Sequence, residues 1–258
     1  MIRRLAFIVI LSVVFSACGS MAENALTPTE PREILIVREA PEEEPETEAE
    51  ILEEGEGYEV DEALYIEFEP IFTAEPLPDH IIDLITGVTF HENTPFGFDA
   101  LTYLTITHAD FNDESRIGHM IVAAEIGEEV LDIFRELYEI RFSIYQMRLI
   151  DYFDADDNLS LEANNSSAFN FRYIAGTTTI SRHGFGMAID INPIQNPYIR
   201  GTTILPPAGA AYLDRDNVRP GMIVKGCPVY TAFISRGWIW GGNWTSPRDY
   251  HHFEKRNP

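Results

Sequence analysis

Between Glu39 and Glu69 the chain places fifteen acidic residues and no lysine or arginine. Like charges at that density repel one another, and no aromatic side chain appears in the stretch before Tyr58. Burial cannot offset the entropy of ordering such a segment, so it is expected to be extended and disordered, a solvated spacer. A packed core is thereby confined to the residues C-terminal to it, with folded material expected from about Leu77. The segment carries −15 of the formal net charge of −24, leaving −9 for the rest of the chain. That balance argues against nucleic acid as a partner, because phosphates would be repelled. With 258 residues, 45% hydrophobic and 12% aromatic, the chain has material for one sizeable domain plus accessory segments.

The other end of the spacer explains its purpose. Arg3 and Arg4 precede an apolar run from Leu5 to Val14, too short to span a bilayer comfortably, which reads as an export signal. "FSAC", Phe15 to Cys18, resembles the lipobox of bacterial lipoproteins, with Phe15 in the place of the usual Leu. The resemblance implies that residues 1–17 are a lipoprotein signal peptide and that Cys18 is lipidated. The protein would then be anchored at the outer face of the cell membrane, or on the periplasmic side of an envelope membrane. An ordinary cleaved signal with an incidental cysteine is the alternative. Residues 18–76 become tether and acidic linker, and 77–258 the folded domain. An acylated Cys18 leaves Cys227 without an intrachain disulfide partner, so Cys227 reads as a small packing residue near a turn.

Within the folded part, Phe98–Phe111 and Gly118–Ala124 have the content of strands. Ile126, Val130, Ile133, Phe134, Leu137 and Tyr138 recur at helical spacing, with Glu128 and Glu129 suiting the first turn. Met147–Phe153 reads as a short apolar strand and Asp154–Ser167 as a polar surface loop. The D-x-D-x-N opening of that loop lacks the glycine and the bidentate acid of a calcium-binding loop. "AFNFRYI" and "MAIDINP" read as two further strands, and "AFISRGWIWGGNW" as a helix end, an aromatic strand and a Gly-Gly turn. The fold class expected is α+β, a small mainly antiparallel sheet with flanking helices.

Two motifs carry chemistry. In "SRHGFGMAIDINP", His183 and Asp190 lie seven residues apart. In a regular strand they would face opposite sides, but a bend at the intervening glycines can bring them to one point. Alternation sets Ala188, Asp190 and Asn192 against Met187, Ile189 and Ile191, so a carboxylate sits in an apolar strand and needs a partner. A cation is one solution, and Zn²⁺ accepts imidazole nitrogen and carboxylate oxygen together. The third ligand must come from elsewhere, and the terminal "RDYHHFE" offers His251 and His252. Asp249 lies three residues before His252, close enough to accept the proton of a water activated there.

"SRHGFGMAID" is similar to the S-x-H-x-x-G-x-A-x-D signature of the zinc D-alanyl-D-alanine carboxypeptidase / L-alanyl-D-glutamate endopeptidase family. "WGGNWTSPRDYHHFE" resembles its closing motif, W-G-G-x-W followed by D-x-x-H-F-E. The resemblance spans roughly Phe98 to Lys255 and implies a hedgehog/D-Ala-D-Ala-peptidase-like fold. It implies His183, Asp190 and His252 as zinc ligands and Asp249 as general base and acid. "FNFR" resembles the stretch where the family keeps an Arg facing the substrate carbonyl, which implies Arg172 as the candidate for stabilising the oxyanion; Ser181 is a candidate to orient Asp190 or touch substrate. His251 stands where the family often has Pro. "NPIQNPYI" resembles the loop after the Asp strand and is expected to floor the cleft. The activity implied is hydrolysis of peptidoglycan stem peptides by metal-activated water. A non-catalytic cell-wall-binding lipoprotein on the same fold is the alternative, against which the presence of Asp249 argues. A two-lobed substrate-binding lipoprotein lacks the repeated βαβ pattern it would need.

Overall fold

The structure, a computed structural model, describes residues 68–256. The signal segment, Cys18 and nearly all of the acidic spacer lie outside the described residues. The sheet begins before the Leu77 boundary expected from charge. Strand β1 (Phe72–Glu75) alternates half-buried and exposed side chains and pairs antiparallel with β2. Phe72 and Ala74 turn inward, with Phe72 edge-on to Tyr138 at 6.0 Å. An acidic neighbourhood does not prevent pairing when alternate side chains are apolar.

Helix α1 (Asp79–Ile85) follows, burying Ile81 and Ile85. Strands β2 (Leu101–Ala109) and β3 (Ser115–Ala123) pair antiparallel over their full length in a three-stranded sheet of order β1-β2-β3. Helix α2 (Gly127–Glu139) packs on this sheet through Val130, Ile133, Phe134 and Leu137, all buried, as its periodicity predicts.

The middle of the chain departs from expectation. Only β4 (Gln146–Met147) extends into the supposed Met147–Phe153 strand. Ile150–Phe153 is a 3₁₀ turn, followed by Asp154 and Ala155 at positive φ (54° and 57°). The supposed loop holds helix α3 (Asp157–Glu162) and β5 (Asn165–Ser166), which pairs parallel with β4. The acidic opening is a helix cap: the Asp156 carboxylate accepts from the backbone N–H of Asn158 (2.8 Å) and Leu159 (3.2 Å). "AFNFRYI" forms no ladder with one neighbour. Its backbone N–H groups are shared out, Phe169 to Ile121, Asn170 to His183 and Phe171 to Thr89.

The C-terminal third is made of short strands. β6 (Ala188–Asp190), β11 (His252–Glu254) and β9 (Ile239–Trp240) form an antiparallel sheet of order β6-β11-β9. β7 (Tyr198–Arg200), β8 (Thr203–Leu205) and β10 (Arg248–Asp249) form another, of order β10-β7-β8. Helix α4 (Pro228–Ile234) lies between β8 and β9 in sequence, with Cys227 at its N-cap, where Sγ accepts from Tyr230 N–H at 3.4 Å. The class is α+β, as expected. One core joins the parts: α2, β2 and β3 share it with Ile189, Phe233, Trp240 and Phe253, and Phe233 stacks on Phe253 at 4.0 Å. Among the described residues no helix is long and apolar enough to cross a membrane.

Candidate metal centre

His183 stands on a 3₁₀ turn, Arg182–Phe185, with Ser181 at its N-cap. Ser181 Oγ accepts from His183 N–H at 3.3 Å, so its visible work is to hold the turn. Gly186 closes the turn at φ 65°, and its carbonyl accepts from Ala123 N–H at 2.9 Å. A Cβ at this position would lie 2.5 Å from Ala123 N, so only glycine lets the turn abut the end of β3. The chain then enters β6, where Met187, Ile189 and Ile191 go to the core as alternation requires. The β6–β11 register sets Asp190 directly opposite His252. Cross-strand pairing thus supplies two members of the cluster and the glycine turn the third.

The three side chains meet. Nδ1 of His252 is 3.0 Å from Asp190 Oδ1, and Nε2 of His183 is 3.3 Å from Asp190 Oδ2. The two imidazole nitrogens face each other at 3.1 Å. All three residues are buried, and one ligand atom from each lies within 4.8 Å of the others. The outward nitrogens are also engaged: His183 Nδ1 lies 2.6 Å from the Ala168 carbonyl and His252 Nε2 3.3 Å from Glu254 Oε2. A carbonyl only accepts, so His183 Nδ1 carries the hydrogen and Nε2 is left with its lone pair. Glu254 asks the same of His252 Nε2. Two imidazole lone pairs beside a carboxylate are stable only with a cation or a proton among them. This donor set, with outer partners fixing both tautomers, fits Zn²⁺.

The electrostatics of the metal-free cluster agree. Burial would raise the Asp190 carboxyl, but the surrounding His183, His251 and His252 hold it well below the usual range. Burial works against a charged His252, yet its hydrogen bonds to Asp190 and Glu254 outweigh this and lift it to about 10. The bond to His252 in turn lowers Glu254.

His251 and Asp249 form a second pair beside the first. His251 Nε2 is 2.9 Å from Asp249 Oδ1 and 3.9 Å from Asp190 Oδ2, and its Nδ1 meets the Asn196 carbonyl at 2.8 Å. Burial again opposes charging, but Asp249 and Asp190 raise His251 to about 9. Gly241, the first glycine of the Gly-Gly turn, gives Asp249 its place: a Cβ there would lie 2.5 Å from the Asp249 carbonyl oxygen.

Arg172 is only partly where the motif puts it. Its backbone borders the His183 turn, with its carbonyl accepting from Ser181 N–H at 2.9 Å. Its guanidinium, however, pairs with Asp157. The segment expected to floor a cleft is anchored from inside: Asn192 and Asn196 are wholly buried, and their side chains bond to backbone at Ser143, Ile191, Gly221 and Ile223. Trp238 and Trp240 are core, while Trp244 is half-buried with its ring 5.4 Å from that of His252.

Sequence reasoning passed over Glu254, the Ala168 carbonyl and the bond from His251 to Asn196. A signal existed for Glu254, two residues from His252 on one strand and so on the same face. No signal exists for a backbone carbonyl. No curated protein and no solved structure matches the chain. Residues 175–255, the stretch holding His183, Asp190, Asp249 and His252, match the family model described as D-alanyl-D-alanine carboxypeptidase, the same peptidase family that the two motifs resemble.

Proposed function

We propose that this protein is a zinc-dependent peptidase that hydrolyses an amide bond in peptidoglycan stem peptides. The reading is carried by the convergence of His183, Asp190 and His252 within the segment that matches a carboxypeptidase family. Zn²⁺ held by these three would lower the pKa of water to about 7 and polarise the scissile carbonyl. Asp249, one imidazole away from Asp190, accepts the proton of the attacking water and returns it to the departing amine nitrogen. Arg172 serves the substrate carbonyl by exchanging Asp157 for it, which the half-exposed position of the pair allows. Ser181 acts through the turn it caps.

A groove of about 640 Å³ supports a peptide substrate bearing free carboxylates. Arg215, Lys225 and Arg248 line it with a single acid, Asp216, in a chain that is otherwise strongly acidic. Trp244 forms part of its wall, and its ring lies 5.4 Å from that of His252, so one side chain separates the groove from the triad. Lipidation at Cys18 would keep the enzyme at the membrane while residues 18–76 let it reach the wall. A Cys18→Ala protein recovered from the membrane fraction as fully as the native one would sink that arrangement.

The direct test is mass spectrometry of muropeptides incubated with the purified protein. Loss of terminal D-alanine or cleavage between L-alanine and D-glutamate is expected, abolished by chelator and restored by Zn²⁺. Intact muropeptides at full zinc occupancy would overturn the proposal in favour of a non-catalytic wall-binding role.

A further inference from the structure

The proposed ligand set leaves His251 without a task, yet it is among the most constrained side chains in the site. It is 4% exposed. Its Nδ1 faces the Asn196 carbonyl at 2.8 Å and, facing a pure acceptor, must carry the hydrogen. That carbonyl belongs to a fixed residue. The Asn196 amide nitrogen donates to the carbonyls of Ile191, Asn192 and Gly221, and its side-chain oxygen accepts from Ile223 N–H and Arg215. The imidazole is therefore held at one nitrogen by a buried, fully bonded piece of backbone. Its other nitrogen reaches Asp249 Oδ1 at 2.9 Å.

Asp249 needs such a hold. It sits on a strand of two residues, β10, and among the described residues its Oδ1 has no hydrogen-bond partner, only the ion-pair contact with His251. Two free side-chain torsions would let the carboxylate sweep through several rotamers. A proton acceptor must stay within hydrogen-bond reach of the reacting water, and a misplacement of about 1 Å can cost about 10²-fold in rate.

We infer that His251 is a positioning residue, clamped through Asn196, that holds the Asp249 carboxylate in the orientation its base role requires and does not ligate the metal. The inference rests on the proposed function for Asp249 as base; the clamp itself rests on the contacts alone. It also explains why two adjacent histidines on one strand end serve differently. His252 faces Asp190 across the β6–β11 ladder, whereas His251 turns toward β10.

The test compares His251→Leu with His251→Gln in the full chain. Glutamine keeps a side-chain N–H that can reach Asp249, and leucine keeps only bulk. For His251→Leu, kcat on muropeptides should fall about 10²-fold with KM and zinc content unchanged, and His251→Gln should recover most of the loss. Crystal structures give a readout free of turnover: Asp249 should occupy one rotamer in the native protein and in His251→Gln, and several in His251→Leu. Full kcat in His251→Leu, or a single unchanged Asp249 rotamer there, overturns the inference. Loss of zinc in both variants overturns it differently, by making His251 a ligand. Should His251→Leu fail to fold, His251→Gln decides alone, since native kcat and an ordered Asp249 are expected of it. A native protein that cleaves nothing would sink the peptidase reading, and the rotamer comparison would still decide the clamp.

Discussion

The β1-β2-β3 sheet and the β6-β11-β9 sheet share one core but are held together differently. In the first, two nine-residue strands pair over their whole length and an amphipathic helix covers them. In the second, no strand exceeds three residues. There the backbone is secured by single polar side chains such as Asn192 and Asn196, and by glycines at 186 and 241 that permit close approach. Buried apolar area stabilises the first region, so its cost is spread over many contacts. The second depends on a few bonds in fixed places, and it carries Asp190 and His252 of the candidate metal centre. Scaffold and site should therefore be separable by substitution.

Phe134→Ala in α2 gives the largest expected effect on stability. Phe134 is 1% exposed, and emptying its place should cost about 3–5 kcal/mol in denaturant unfolding. Zinc bound per folded molecule should not change. If zinc affinity drops alongside stability, the two regions are not separable as argued.

Glu254→Gln probes the opposite corner. It weakens the acceptor that fixes the His252 tautomer, at 3.3 Å, and should lower zinc affinity by about 10–100-fold in competition with a chelator. Unfolding midpoints of the metal-free protein should move much less than for Phe134→Ala. Unchanged zinc affinity would mean that Glu254 plays no part in the centre.

A smaller, graded effect comes from pH. In the metal-free protein His251 and His252 are raised to about 9 and about 10, above the ordinary value near 6.5. Their contribution to stability is therefore complete below about pH 6.5 and is lost as pH rises through 9 to 10. Asp190 is depressed, so its contribution is present above about pH 4 and is lost as pH falls through its lowered value. Metal-free protein should thus be most stable between these limits. At neutral pH, zinc must displace a proton from His252, so calorimetry in buffers of different ionisation enthalpy should show proton release. Binding without proton release would remove His252 from the ligand set.

The scaffold was the more legible half where it was periodic. The spacing from Val130 to Leu137 specifies α2 because one face of a helix must be apolar to pack on a sheet. The composition around β2 and β3 gave their existence, with boundaries displaced by a few residues. β1 was hidden because charge dominated its surroundings while only Phe72 and Ala74 decided its burial. α3 was hidden because a two-turn polar helix offers no apolar period, although Asp156 was a readable cap. The site was legible as residue types at motif spacing: His183, Asp190 and His252 do converge. Its support was not, because the Ala168 and Asn196 carbonyls carry no identity in sequence and become partners only through long-range folding. The choice between His251 and His252, open from spacing alone, turns on strand register, which places His252 opposite Asp190.

The most direct test is zinc-edge anomalous scattering from crystals of the purified protein soaked in Zn²⁺. One peak is predicted per chain, bonded to His183 Nε2, the Asp190 carboxylate and His252 Nδ1, with His251 still on Asp249. A peak on His251, or no peak among the three side chains, would contradict it.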